Sequence, residues 1–483
     1  MRWVDLLRWL WSLCWGNRRA DREMRCWIRL GLVLLLLNLR LFAEQVPRFE
    51  DGERICFVGD SITHGGAYHS YVYLYYLTRF PEREIRVWNR GISGNQASHV
   101  LRRFDEDIAS VKPSVSTVML GMNDVGRSLY EAEGNDEESK RNQQLALDRY
   151  IKNMRMLLVK FDAIGSETIL ITPSIYDQTA DLPTHNHYGV NDGLGRCADF
   201  IRSMALKRED GLVDFYGLMG DLNVELQQED PSATVVGPDR VHPQAGLGHF
   251  IMAYQFLKAQ GVPRLVSKMV IDAESAVVAQ NENCRVTDVE FACGVLSFSA
   301  HEFALPFPQS DSIKEALALV PFEQEMNQQI LSVRNLPAGE YLLCIDDVEV
   351  GSWSAFRLAA GVNLAVNRNT PQYRQALRIQ KLSEKQSALQ SQLRSAAFVF
   401  YGSGLSESDI NRDSREAVQA FLARKLKLHE GQSHYGYFKK NYEAYLELMV
   451  KEKQIGEEIE ALHIELNTLN KPEPHRFSLR ARQ

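Results

Sequence analysis

Between residues 54 and 261, short apolar runs alternate with longer stretches in which apolar residues recur at helical spacing. Ile55-Cys56-Phe57-Val58, Ile85-Arg86-Val87-Trp88-Asn89, Ser116-Thr117-Val118-Met119-Leu120, Thr168-Ile169-Leu170-Ile171-Thr172 and Leu212-Val213-Asp214-Phe215 each read as a strand. Their near-continuous apolar character is what a strand covered on both faces needs. Helical patterns occupy residues 68–80, 100–110, 145–161 and 196–207. Strand-helix alternation predicts an α/β fold with a parallel sheet between two helical layers. In such sheets ligands bind at the carboxyl ends of the strands.

The pattern changes after residue 263. Residues 286–291, 295–298, 330–333, 341–345 and 348–350 read as strands, with Asn335-Leu336-Pro337-Ala338-Gly339-Glu340 as a turn. From Thr370 the chain becomes helical and charged. Residues 375–396 and 442–469 carry spaced Leu, Ile and Ala that could pair as an antiparallel hairpin. Sustained heptads and internal repeats are not evident. The expected organisation is an N-terminal extension (1–43), an α/β domain (50–262), a small β-rich module (263–367) and a helical C-terminal region (368–483).

In the extension, Arg25 and Arg29 precede the apolar run of residues 30–37, and Phe42-Ala43 stands before polar Glu44-Gln45. A basic flank, a short apolar stretch and a small residue read as an export signal, so a periplasmic or extracellular location is expected. The run is too short for a good membrane span. Leu41 occupies a position where cleavage favours a small residue, which leaves an uncleaved, membrane-anchored form as the alternative. Met24 offers a second start that still precedes the whole signal.

Composition narrows the function. At 483 residues and 45% hydrophobic, the chain exceeds what one core usually organises. A net charge of −7 lacks the basic footprint of a nucleic-acid binder. Five cysteines follow the extension: Cys56, Cys197, Cys284, Cys293 and Cys344. That sparse, odd set is no disulfide framework, although Cys284 and Cys293 flank a short alternating stretch and could bridge a hairpin. Cys56 lies in an apolar strand. No Cys-x-x-Cys pair suggests structural zinc. His64, His69, His185 and His187 invite a metal reading, because His185-x-His187 has ligand-like spacing, but further spaced carboxylates are lacking, so no metal or cofactor is expected.

Four short features carry candidate chemistry. Gly59-Asp60-Ser61-Ile62-Thr63 follows the first strand, Asn89-Arg90-Gly91-Ile92-Ser93-Gly94-Asn95 the second, and Gly121-Met122-Asn123-Asp124 the third. Gly237-Pro238-Asp239-Arg240-Val241-His242-Pro243 comes late in the domain. Singly, each is an ordinary turn or helix-cap sequence. Their succession at strand ends gives them meaning. A serine hydroxyl needs an adjacent base to become a nucleophile, and histidine titrates in the right range. A carboxylate fixes the imidazole tautomer. A tetrahedral intermediate needs preorganised donors for its oxyanion. Ser61, His242 and Asp239 supply the first three roles, and Gly94 and Asn123 supply donors. A Gly-x-Ser-x-Gly elbow is absent. Asp60 could hold the Ser61 loop or simply cap a helix. Arg90 and Arg127 read as surface ion-pair partners, with contact to an acidic substrate as the alternative. Tyr176 and Asp177, and the run His434-Tyr435-Gly436-Tyr437, are further pocket candidates; a helical hairpin end packed on its own core explains the run equally well.

With these four blocks the chain resembles the SGNH hydrolases, also called GDSL-type esterases, over residues 54–261. Its nearest likeness is to the subgroup with Gly-Met-Asn-Asp-Val and Gly-Pro-Asp-Arg-Val-His-Pro, which also has a tail like residues 346–370 with Gly361-Val362-Asn363-Leu364-Ala365. Ile62-Thr63 departs from the Leu that names the GDSL type without touching the catalytic groups. The resemblance implies a three-layer α/β/α sandwich, with Ser61 as nucleophile and first oxyanion donor. Gly94 and Asn123 become the other donors, and Asp239 with His242 completes the triad. It also implies a short-chain ester as substrate, an O-acetyl group on a carbohydrate above all. The alternatives are a lipid-active acylhydrolase or thioesterase on the same machinery, and a non-catalytic carbohydrate-binding scaffold. A metal-dependent phosphoesterase would need a Gly-Asp-x-x-Asp run, which does not follow Gly59-Asp60.

Overall fold

The computed structural model describes residues 46–130 and 136–482, so the expected export segment lies outside the described residues. The five α/β strands form: β1 (Arg54–Gly59), β2 (Arg86–Gly91), β3 (Val115–Met119), β4 (Glu167–Ile171) and β5 (Gly211–Val213). They make one parallel sheet in the order β2-β1-β3-β4-β5. Ile55, Cys56, Phe57, Val58, Ile169, Leu170 and Ile171 are wholly buried, as strands sandwiched between helices must be. The chain winds from β1 to β2, then returns across β1 to β3. This reversal opens a crevice at the carboxyl ends of β1 and β3. Gly59 lies level with Gly91 and Met119, so the segments leaving three strands start at one height.

Helices α1 (Ser61–Gly65), α2 (Tyr68–Arg79), α3 (Ala97–Arg103), α4 (Glu137–Ala163), α5 (Val190–Arg208), α6 (Phe215–Glu229) and α7 (Gly248–Ala259) belong to this layer. Two differ from expectation. The helix expected to run to residue 110 widens after Arg103 into a π-turn (Phe104–Ile108), which puts Phe104, Asp107 and Ile108 all on the buried side. Asp214-Phe215, expected to continue β5, instead starts α6. The Asp214 carboxylate accepts the Gly217 N–H at 3.0 Å and caps the helix.

The β-rich part is larger than its sequence suggests. β6 (Leu265–Asp272), β7 (Val277–Glu282), β10 (Gln328–Arg334) and β13 (Val362–Asn363) form one sheet, ordered β13-β10-β6-β7. β8 (Cys284–Ala292), β9 (Val295–Glu302), β11 (Glu340–Ile345), β12 (Val348–Ser354) and β14 (Pro474–Ala481) form another, ordered β12-β11-β14-β9-β8. Met269, Leu331, Phe298, Leu343 and Phe477 share the core between them. The chain is therefore not helical to its end, because β14 inserts between β9 and β11. Cys284 and Cys293 are free thiols. Cys284 opens β8 and Cys293 follows its last residue, about 30 Å away at strand rise, far beyond the reach of a disulfide.

The C-terminal helices are α8 (Pro371–Gly402), α9 (Arg415–Lys427), α10 (Tyr435–Leu448) and α11 (Glu452–Leu469). α8 packs on both α10 and α11, and the single helix expected over 442–469 is broken between them. Ala376 and Ile379 of α8 and Leu466 of α11 join the core of the α/β layer, and residues 46–483 form one compact unit. No helix among the described residues is long and apolar enough to cross a membrane.

Candidate active site

Ser61 is the first residue of α1, directly beyond β1. Asp60 caps that helix, its Oδ1 accepting the Ile62 N–H at 3.0 Å. α1 lies hard against the end of β2. A Cβ on Gly91 would stand 2.3 Å from the His64 backbone nitrogen, so only glycine fits there.

His242 reaches Ser61 from the loop before α7. Its Nε2 is 2.8 Å from Ser61 Oγ, and its Nδ1 is 2.5 Å from Asp239 Oδ2. The other carboxylate oxygen of Asp239 accepts the backbone N–H groups of Val241 (3.1 Å) and His242 (3.0 Å). Burial pushes the Asp239 carboxyl up, but the His242 ring and these two N–H groups more than offset it and hold the group below its ordinary value. An ionised Asp239 only accepts, so Nδ1 carries the imidazole proton and Nε2 presents a lone pair to the Ser61 hydroxyl. This face is open to solvent, with the His242 side chain 46% exposed.

The loops beyond β2 and β3 close the other side. Gly94 takes a left-handed backbone (φ 76°), and a Cβ there would meet nothing within 4 Å. Asn123 Nδ2 donates to the Asn95 carbonyl at 3.1 Å and lies 3.4 Å from Asp60 Oδ2. The structure thus makes two hydrogen-bonded sets that meet at the adjacent residues Asp60 and Ser61: Ser61, His242 and Asp239 on one side, and Asp60 and Asn123 on the other, with Gly94 next to the Asn95 that Asn123 holds. Asp124 turns inward, its Oδ1 accepting the Ala97 N–H at 3.0 Å. Burial pushes the Asp60 carboxyl up to about 6 and that of Asp124 up to about 7.

Beside Asn123 and Asp239 opens a cavity of about 520 Å³, also lined by Arg127, Tyr176, His185 and His187. His185 and His187 stand edge to face there, 4.6 Å between ring centres. Among the described residues no group of three or more His, Cys, Asp or Glu side chains could hold a metal ion. Asp177 faces away from the cavity, accepting the N–H groups of Thr179 and Ala180. Tyr437 packs at 6.1 Å on Phe398, within the helical region. Arg90 is not the surface residue it was expected to be. It is largely buried, 3.8 Å from Asp107.

Three residues matter more here than their sequence context suggests. His64, weighed only as a metal ligand, is held neutral, its pKa lowered to about 4 by burial and by the charges of Arg394 and Arg103. Its Nδ1 accepts the Ser93 N–H at 3.1 Å, tying α1 to the Gly94 loop. Arg240, between Asp239 and His242, is buried and donates to the carbonyls of Asp177, Ala180, Leu182 and Thr184. Arg394 arrives from α8. The spacing of His64 from Ser61 was a usable signal; the partners of the two arginines are distant in sequence and left none.

The GDSL-like lipase/acylhydrolase family model matches residues 55–256. An acetylxylan esterase from Geobacillus stearothermophilus is 29% identical over 225 residues, covering 44% of this chain and 94% of its own. A solved structure of a gut microbial diltiazem-metabolizing enzyme is 33% identical, with a TM-score of 0.83, and the match covers 91% of this chain and 100% of that one. The second likeness extends well past the α/β layer, so the β-rich and helical parts recur with it.

Proposed function

Since the chain belongs to the GDSL-like lipase/acylhydrolase family and is a carboxylic ester hydrolase, we propose that it removes short-chain acyl groups, O-acetyl groups on carbohydrates above all, with Ser61 as nucleophile. The relay Ser61 Oγ, His242, Asp239 carries this reading. His242 Nε2 takes the hydroxyl proton as Oγ attacks the ester carbonyl, and Asp239 stabilises the imidazolium that forms. The backbone N–H groups of Ser61 and Gly94 and the Asn123 amide receive the oxyanion. His242 then returns the proton to the leaving alcohol, and water, activated in the same way, releases the acyl group from Ser61.

The cavity beside Asn123 and Asp239 supports a small acyl group on a polar alcohol. Its lining of Arg127, Ser128, Tyr176, His185 and His187 offers hydrogen bonds, not the apolar tunnel a long acyl chain needs. The likeness to an acetylxylan esterase supports the same choice. Diltiazem carries an acetate ester, so the likeness to a diltiazem-metabolizing enzyme makes that ester a second bond to test.

Acetate release from acetylated xylo-oligosaccharides and from diltiazem tests both parts. Ser61→Ala is expected to lower kcat by about 10⁶-fold, as in other serine triads, with the fold intact by circular dichroism. Unchanged hydrolysis by that variant sinks the mechanism. An optimum at long acyl chains across 4-nitrophenyl esters sinks the acetyl reading in favour of a lipid-active enzyme.

A further inference from the structure

The Gly91–Asn95 segment owes its shape to a cluster beneath it that α8 completes. Arg394 of α8 donates through Nε to the Gly91 carbonyl (3.3 Å) and grips both Asp107 oxygens through Nη1 (2.7 Å) and Nη2 (3.0 Å). Asp107 also binds Arg103, four residues before it. Arg103 in turn donates to the Arg90 carbonyl (2.9 Å) and to Asn95 Oδ1 (2.8 Å). The segment is therefore held at its entry by Arg394 and Arg103, and at its exit by Arg103. Arg394, Arg103 and Asp107 are all less than a tenth exposed.

Neutralising Asp107 does not require Arg394, because Arg103 already meets that carboxylate. Arg90, Arg103 and Arg394 set three guanidinium groups against one carboxylate, a surplus of two positive charges. Burying surplus charge costs stability unless each group finds further partners. The further partner of Arg394 is a carbonyl of the segment that bears Gly94, and surplus positive charge behind that segment suits a developing oxyanion.

We propose that Arg394 is a positioning residue for ester hydrolysis: through the Gly91 carbonyl and Asp107, the C-terminal helical region holds the Gly94 N–H in line with the oxyanion. This rests on the reading of Gly94 as an oxyanion donor and gives the helical region a catalytic task. Misplacing a donor weakens binding of the transition state and leaves that of the ground state, so kcat falls and KM does not rise.

The test is steady-state hydrolysis of 4-nitrophenyl acetate by the full chain. Arg394→Ala is expected to lower kcat by roughly tenfold or more, part of the 10²–10³-fold that a whole oxyanion donor carries, with KM within about twofold. Guanidinium ion, added at concentrations too low to unfold the chain, restores part of kcat, and equal sodium chloride does not. Arg394→Lys stays impaired, because an ammonium cannot span both Asp107 oxygens and the Gly91 carbonyl. Gln390→Ala, one turn earlier and bonded to the Val87 carbonyl rather than to the Gly91–Asn95 segment, keeps parental kcat. A parental kcat in Arg394→Ala overturns the proposal, as does a loss that guanidinium does not reverse. If Arg394→Ala does not fold, a folded Arg394→Lys with lowered kcat supports the proposal and one with parental kcat overturns it. If neither folds, Arg394 serves folding alone and the proposal falls. Ser61→Ala keeps the two readings apart: parental activity there defeats the catalytic reading itself, whereas an inactive Ser61→Ala beside a parental Arg394→Ala defeats only the role of Arg394.

Discussion

Asp124 illustrates how one side chain can serve a site at the expense of stability. Its carboxyl caps the start of α3 from a buried position beside Asn123, where burial pushes its pKa up to about 7 from the ordinary 3.8. Below pH 4 the group is protonated in folded and unfolded chains alike, and its contribution is complete. Between pH 4 and 7 the unfolded chain releases the proton that the folded chain retains, so stability falls as pH rises. Asp60, held near 6, adds a slope of the same sign. Asp124→Asn keeps an oxygen to accept the Ala97 N–H and removes the titration. The variant should match the parent at pH 4 and exceed it at pH 8 by on the order of 1–4 kcal/mol. Thermal unfolding across that range checks this, and parallel curves would refute it. The sequence offered Asn123-Asp124 as an ordinary helix cap but not which helix it caps; the burial of Asp124 depends on the distant Ala97 helix start folding over it.

At the scale of elements, the site depends on how closely α1 approaches β2. Gly91→Ala would force a methyl group onto the backbone of Asp60, Thr63 and His64, none of which can swing aside as a side chain would. A loss of about 1–3 kcal/mol in urea unfolding is expected, with reduced kcat because α1 carries Ser61. Gly65→Ala, at the end of α1 with open space around it, is the control and should be near neutral. Equal effects of the two would contradict this account. β1, β3 and β4 were legible because burial on both faces writes a dense apolar run, whereas β2, at the sheet edge and mostly half-buried, writes a weaker one. The start of α6 was not legible, since Asp214-Phe215 continues an apolar run as naturally as it caps a helix. β7 was missed for the opposite reason. Most of its residues are exposed, so it has no buried face to mark it.

Across the whole molecule, the helical region is an excursion between two strands. The chain leaves the β-rich part after β13, runs through α8 to α11 along the α/β layer, and returns as β14. Phe477 of β14 is wholly buried and stacks on Phe298 at 4.9 Å between ring centres. Phe477→Ala should cost about 3–5 kcal/mol of stability. Hydrolysis measured well below the melting temperature should be unchanged, because β14 pairs with β9 and β11 in a different sheet from the strands that carry the proposed relay. A stability equal to the parent's would show that β14 does not close the module. With both ends of the excursion anchored in this way, α8 can deliver Arg394 to the Gly91 carbonyl.

Sequence alone determined the parallel α/β layer, because burial imprints a local apolar pattern on its central strands and helical spacing marks the segments between them. It also brought Ser61, Gly94 and Asn123 to one sheet edge, because each follows a strand directly and parallel strands end together. Asp239 and His242 were legible as a pair from their spacing of three. Tertiary structure decided what joins residues distant along the chain. The 2.8 Å contact of His242 with Ser61 depends on where α7 docks. The anchoring of Arg240, the insertion of β14 and the reach of Arg394 under the Gly94 loop depend on packing between segments up to 303 residues apart. Such contacts are made by shape and charge across the fold, and they leave no period or motif in the chain.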